Sequence, residues 1–122
     1  LKTLYDSLMH EGELKMKVYN KLVRDKVPQT MQNEGKVVYY SMLDGDNLRK
    51  MLKIKLIEES REVSKAITKE EMINELADVS EVIEAIYEAF DITEADVDLI
   101  KHKKIQEKGT YKSGAYLMCV EE

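Results

Sequence analysis

Apolar residues recur every three or four positions along two long stretches of the chain, and this period is typical of amphipathic helices. The first predicted helix runs from Asn47 to Ile67. The second follows Thr68-Lys69-Glu70-Glu71, which has the form of a capping box, and runs to Phe90. Thr93 is the predicted cap of a third helix, which ends at Gly109. Short connections between such helices favour an antiparallel helical bundle.

Shorter elements are predicted on either side of this bundle. Residues 24–34 form a short helix that Gly35 terminates, and residues 44–46 combine a turn with an N-cap signal. Residues 36–43 and 115–120 are rich in β-branched and aromatic side chains, and each predicts a strand. Because they are the two predicted strands, we expect them to pair. The predicted fold class is therefore mostly α, with a small two-stranded β element.

The first fifteen residues show little periodicity, and two interpretations of them remain open. Met16 opens a sharper pattern, so residues 1–15 could be an N-terminal extension that is not native. They could equally form a genuine amphipathic N-terminal helix. In both cases residues 16–122 are predicted to be a single helical domain.

Composition narrows the functional classes. The chain has 122 residues, of which 43% are apolar and 35% are charged, as in a globular protein with a modest core. A core of this size favours further burial between subunits, so we expect a homodimer or homotetramer. The net charge of −5 argues against nucleic-acid binding, and no apolar run is long enough for a membrane span. Cys119 is the single cysteine, which is typical of a cytoplasmic protein.

Two classes of carboxylate emerge when the long helices are placed on a helical wheel. Glu59 falls in the middle of the apolar stripe of the first helix, and Glu62 projects beside it. Glu75 lies within the apolar stripe of the second helix, with Asp78 at its margin. The wheel leaves Glu58 undecided, whereas three other carboxylates of the second helix fall on the far, solvent-facing side: Glu81, Glu84 and Glu88.

Carboxylates in an apolar stripe require something that neutralises them, because an unpaired buried charge costs several kcal/mol. Protonation, a basic side chain and a divalent cation are the alternatives. Lys55 lies near Glu59 and Glu62 on the wheel and could serve one of them, but not all four. An all-oxygen ligand set suits Mg²⁺, or alternatively Mn²⁺. A di-iron bundle would need Glu-x-x-His motifs, and residues 11–101 contain no histidine.

These residues resemble the signature of a known family. The string Ile57-Glu-Glu-Ser-Arg-Glu-Val63, followed after a gap by Glu75-Leu-Ala-Asp78, is similar to the E-E-x-x-E … E-x-x-D motif of MazG-like, all-α nucleoside triphosphate pyrophosphohydrolases. Residues 19–28 and 101–111 resemble the start and the end of a subgroup labelled phosphoribosyl-ATP pyrophosphohydrolase-like. The resemblance covers residues 16–121 and makes the predicted domain MazG-like.

The resemblance implies an oligomeric helical enzyme that uses Mg²⁺ to cleave a nucleotide to its monophosphate and pyrophosphate. It implies that Glu59, Glu62, Glu75 and Asp78 are the metal ligands. A carboxylate such as Glu59 or Glu62 would activate the attacking water. The triphosphate carries more negative charge than the metal offsets, so basic residues are expected to bind it: Lys21, Arg24, Lys104 and Lys108.

Two alternatives remain open at the level of the sequence. The first is true phosphoribosyl-ATP hydrolysis, since a histidine-pathway enzyme and a nucleotide-pool enzyme share the signature. The second is a non-enzymatic helical oligomerisation or interaction protein that retains the fold. Metal binding distinguishes the enzyme from the interaction protein, because an interaction protein would have no need of Glu59 in its apolar stripe.

Overall fold

The computed structural model describes residues 15–122. The chain divides into two compact units, the first ending at Ser41 and the second running from Met42 to Glu122, and each is described by itself. The two interpretations of the N-terminal segment concern residues that, apart from Lys15, lie outside the described part of the chain.

The described part of the first unit contains one short helix, α1, which spans Val27–Asn33. It begins three residues later than predicted. Pro28 lacks an N–H and is accommodated only in the first helical turn, which explains a start at Val27 rather than Arg24. Gly35 follows the helix with a φ of +87°, a left-handed conformation that glycine adopts without strain. The predicted termination by Gly35 is thus confirmed.

Three further helices form the second unit: α2 spans Gly45–Lys65, α3 spans Lys69–Ala89 and α4 spans Glu94–Lys108. Each lies within about two residues of its predicted bounds, which is the ordinary uncertainty of helix ends. The mostly α prediction is therefore confirmed for residues 15–122. Within that range no helix combines the length and the apolar character that crossing a bilayer requires.

Side-chain caps determine where α3 and α4 begin. Thr68 Oγ1 accepts a hydrogen bond from the backbone N–H of Glu71 at 3.1 Å. Glu71 reaches back as predicted, but its carboxylate accepts from the N–H of Ile67, at 3.2 Å, rather than from that of Thr68. At α4 the capping box is reciprocal, because the side chains of Thr93 and Asp96 each accept a hydrogen bond from the other residue's backbone N–H. Local chemistry alone therefore specifies both starts.

Helices α2 and α3 pack against each other as an antiparallel hairpin. Arg49, in the first turns of α2, donates a hydrogen bond at 3.5 Å to the carbonyl of Ala89, the last residue of α3. Lys53 lies one turn further along α2, and its ammonium is 5.3 Å from the ring centroid of Phe90. Leu52 of α2 and Val82 of α3 are the buried residues of this hairpin. This hairpin is the scaffold of the candidate site.

Helix α4 has no buried residue. Its apolar side chains are exposed, among them Val97, Leu99, Ile100 and Ile105. Within the described residues, the extensive packing between helices is that of α2 on α3. The apolar surface of α4 is therefore left uncovered within the second unit.

The predicted two-stranded β element is wrong for the described chain. Residues 36–43 and 115–120 form neither a helix nor a strand in the described structure. Most of their large apolar side chains are exposed, including Val37, Met42 and Tyr116. Strand preference reflects packing against neighbouring strands and burial of one face, so β-branched and aromatic residues without such neighbours do not form a sheet.

Candidate metal centre

Three of the four predicted metal ligands converge between α2 and α3. Glu59 lies on α2, and Glu75 and Asp78 lie one turn apart on α3. Each offers a carboxylate oxygen, and the three oxygens lie within 4.8 Å of one another. All three residues are partly buried. The helical wheel placed these carboxylates on the facing sides of the two helices, and the structure brings them together there.

Glu62, the fourth predicted ligand, is not a member of this group of described residues. Its side chain is 50% exposed, and Lys65 donates to it at 3.5 Å from the following turn of α2. Glu62 lies beside Glu59 on the helix, as its three-residue spacing requires, but it points toward solvent. The carboxylate cluster is therefore defined here as Glu59, Glu75 and Asp78.

A lysine of α2 contacts this carboxylate cluster. Lys55 Nζ lies 3.4 Å from Glu59 Oε1 and 3.2 Å from Glu58 Oε2. The side chains of Lys55 and Glu59 are only 18% and 16% exposed. The wheel predicted Lys55 near Glu59 and Glu62; the structure pairs it with Glu59 and with Glu58. The wheel did not predict the contact with Glu58. Residues three apart on a helix are neighbours just as residues four apart are, so Lys55 can reach Glu58 as readily as Glu59.

Glu75 accepts a hydrogen bond from a residue of its own helix. Asn74 donates its side-chain N–H to Glu75 Oε1 at 3.3 Å. The carboxylates assigned to the solvent-facing side of α3, Glu81, Glu84 and Glu88, are all exposed, as predicted. Burial thus separates the carboxylates of α3 into the two classes that the apolar pattern indicated.

Lys104 and Lys108, the predicted phosphate-binding lysines of α4, line a groove of that helix together with Lys101. Val97, Ile100 and Tyr111 contribute apolar surface to the same groove. No member of the carboxylate cluster lines it. The structure therefore brings the lysines together with one another on a surface that is separate from the carboxylates.

The two remaining basic candidates precede α1 in the first unit. Lys21 extends over the ring of Tyr19, with its ammonium 5.6 Å from the ring centroid, and Lys17 contacts the same ring at 5.1 Å. The backbone carbonyl of Arg24 accepts a hydrogen bond from the N–H of Val27 at 3.0 Å. Lys21 and Arg24 are both exposed.

A divalent cation is compatible with the donor set of the carboxylate cluster. Mg²⁺ binds oxygen ligands at about 2.1 Å, so two oxygens on one ion lie at most about 4.2 Å apart. The three carboxylate oxygens lie within 4.8 Å of one another, so a small side-chain adjustment brings them to that spacing. All the donors are hard carboxylate oxygens, which suits Mg²⁺ and Mn²⁺ better than thiophilic metals. The residues present therefore fit such an ion.

Comparison of this chain with family models, with curated proteins and with solved structures yields no match. The case for a function consequently rests on the residues and on their geometry.

Proposed function

We propose that this protein is a Mg²⁺-dependent nucleotide pyrophosphohydrolase, which cleaves a nucleoside triphosphate or a related nucleotide to the monophosphate and pyrophosphate. The observation that carries the proposal is the convergence of Glu59, Glu75 and Asp78 on facing sides of one helical hairpin. Three partly buried carboxylates at this spacing are costly unless cations neutralise them. Glu75 and Asp78 also have the spacing of the E-x-x-D part of the family motif that the sequence resembles.

In this proposal Glu59, Glu75 and Asp78 hold Mg²⁺, with Mn²⁺ as an alternative ion. A bound Mg²⁺ supplies a Lewis acid and lowers the pKa of its water. Glu62 completes the ligand set by a rotation toward Glu59, or accepts the proton of the attacking water from its half-exposed position. Glu59 is the other candidate for the base. The hairpin supplies rigid backbone on both sides of the reaction centre.

The nucleotide's phosphates require positive charge beyond that of the metal. Lys104 and Lys108 are exposed on one face of α4. Their role in the proposal is to bind the β- and γ-phosphates and to stabilise the departing pyrophosphate. The apolar wall beside the α4 lysines would suit a nucleoside better than inorganic phosphate.

Assembly into a homodimer or homotetramer is part of the proposal. Leu52 and Val82 are the only buried residues of the described hairpin, and α4 buries no residue. A helical hairpin with so small a core gains stability when its uncovered apolar faces pack against another copy. We place the working protein in the cytoplasm, because Mg²⁺ and nucleotides are its proposed ligands and Cys119 is a free cysteine.

The same exposed apolar surface favours a second candidate, a non-enzymatic helical interaction protein. Val97, Leu99 and Ile100 of α4 are exposed, and so are Leu117 and Met118 near the C-terminus. Exposed apolar patches mark protein contacts whether or not the protein is an enzyme. Such a protein would bind a partner through these faces and would hydrolyse nothing.

A substrate panel separates the candidates. The purified protein is incubated with canonical and damaged nucleoside triphosphates and with phosphoribosyl-ATP, with Mg²⁺ and with a chelator. The proposal predicts release of pyrophosphate from at least one nucleotide, and only with the divalent cation. Preference for phosphoribosyl-ATP would identify the histidine-pathway alternative, whereas no hydrolysis anywhere in the panel would favour the interaction protein.

A further inference from the structure

The carboxylate assigned to the metal already has a cationic partner from its own helix. Lys55 Nζ contacts Glu59 Oε1 at 3.4 Å, in a pair whose two side chains are both largely buried. The Lys65–Glu62 pair on the same helix is far more exposed, with a lysine side chain that is 71% accessible. Solvent screens an exposed pair strongly and a buried pair much less, so the Lys55 contact has a larger electrostatic effect on the site.

A lysine ammonium and a divalent cation compete for the same carboxylate oxygens. A metal ion bound to Glu59 would face the Lys55 ammonium across one carboxylate group, and a charge of +2 beside a charge of +1 is strongly repelled in a partly buried site. Simultaneous occupancy in the observed arrangement is therefore unfavourable. One cation has to move when the other binds.

The structure also contains a place to which Lys55 can move. Glu58 Oε2 lies 3.2 Å from the same ammonium and is more exposed than Glu59. A lysine has a flexible four-carbon stem, so a small rotation can end its contact with Glu59 and keep its contact with Glu58. This gives Glu58, which the sequence left undecided, a role outside the metal ligand set.

We infer that Lys55 is a resident counter-ion of the carboxylate cluster, which occupies Glu59 in the metal-free protein and shifts to Glu58 when a divalent cation binds. The inference rests on the proposed metal site and concerns its regulation. Lys55 lowers the electrostatic cost of the empty cluster and, for the same reason, lowers its affinity for the metal. The site therefore stays folded at low Mg²⁺ and loads only when Mg²⁺ is abundant.

The metal-free half of the inference is tested by melting curves in chelator. Lys55→Met, which keeps most of the side-chain volume, should lower the Tm relative to the parent protein. Lys50→Met is the matched control, since Lys50 is exposed on the same helix, and it should leave the Tm unchanged. In a Glu59→Gln background the effect of Lys55→Met should shrink, because the charge that Lys55 neutralises is gone. A Lys55 effect of the same size in both backgrounds would contradict the inference.

The metal half is tested with Mn²⁺ alone, by calorimetry and by electron paramagnetic resonance. Lys55→Met should bind Mn²⁺ about tenfold more tightly than the parent, because the competing positive charge has been removed. Lys50→Met should bind as the parent does. Lys55→Gln should also bind Mn²⁺ more tightly than the parent. It replaces Lys55→Met if the Met variant does not fold.

The outcomes also separate this inference from the proposed function. If the parent binds Mn²⁺ and Lys55→Met binds it equally or more weakly, the counter-ion exchange is wrong and the metal site stands. If neither protein binds Mn²⁺ at millimolar concentration, the metal site and the exchange both fail.

Discussion

Burial divides the carboxylates of α2 and α3 at the scale of single residues. Glu59, Glu75 and Asp78 are partly buried and converge, whereas Glu84 is exposed on the opposite side of α3. A carboxylate that water solvates needs no other partner to neutralise it. A carboxylate that faces others across a helical hairpin needs a neutralising partner, and this requirement connects the sequence pattern to the proposed metal chemistry.

Amide substitutions should therefore have unequal effects on activity. Glu59→Gln and Asp78→Asn should each lower turnover by about a hundredfold or more, since each removes a charged metal ligand while preserving side-chain size. Glu84→Gln is the matched control and should be nearly silent. The measurement is the steady-state kcat for the best nucleotide of the panel. A similar loss in all three variants would show that the division by burial has no functional meaning.

Most of this site could be predicted from the sequence, because the pattern that places each carboxylate lies within a single helix. Glu59 and Glu75 could be placed from the helical period and the apolar stripe alone, whereas Asp78 lies at the margin of its stripe. The exclusion of Glu62 from the cluster could not, because a residue at the margin of a stripe can rotate toward either the partner helix or solvent. Only the packed hairpin shows that its carboxylate points toward Lys65.

At the scale of helices and strands, predictions succeeded where the decisive contacts lie within a few residues. Thr68 and Thr93 cap their helices through N–H groups three residues away, so a short string of sequence contains the whole interaction. The predicted strands at 36–43 and 115–120 failed because a strand needs partners from elsewhere in the chain. β-branched residues do not specify such partners.

The capping box of α4 makes the stability of that helix depend on pH. Hydrogen bonds from the backbone of Thr93 and, second, from its side chain hold the pKa of Asp96 below its ordinary value of 3.8. The folded state thus favours the ionised carboxylate. Its stabilising contribution is complete above the ordinary pKa and is lost as the pH falls through the lowered one.

Asp96→Asn should therefore flatten the acid limb of the unfolding curve below about pH 4, where the native carboxylate would otherwise take up a proton. Asp98→Asn is the matched control, because Asp98 is exposed on the same helix and is not a member of the box. Thr93→Ala should cost about 1 kcal/mol of stability at neutral pH. Circular dichroism at 222 nm, followed against pH and denaturant, measures all three. Identical acid limbs for Asp96→Asn and Asp98→Asn would contradict the assignment.

At the scale of the whole molecule, the amount of uncovered apolar surface is the dominant feature. Leu76 of α3 is exposed, and so are several apolar residues of α2 and α4, including Ile57 and Ile100. A chain of 122 residues whose described helical hairpin buries only two apolar side chains, Leu52 and Val82, gains little from its own core. Association with further copies would cover these faces.

Light scattering at micromolar concentration should accordingly give the mass of a dimer or a tetramer. Leu76→Glu should shift the protein toward smaller species, since it places a charge in the surface to be covered. Ala77→Glu adds the same charge to the neighbouring exposed position on a different face of α3 and should leave the mass unchanged. A strictly monomeric parent would refute the assembly, although the metal site could still form within one hairpin.

The bond that breaks is the most direct test of the proposed chemistry. The described chain offers a carboxylate cluster for a metal and lysines on a separate helix, and the sequence has no Gly-rich loop of the kind that grips β- and γ-phosphates for γ-transfer. In the proposed function, water attacks the α-phosphorus, and the β- and γ-phosphates leave together as pyrophosphate. Hydrolysis in ¹⁸O-labelled water, analysed by mass spectrometry, should place the label in the nucleoside monophosphate and none in pyrophosphate. Label in free phosphate, with nucleoside diphosphate as the co-product, would contradict the account.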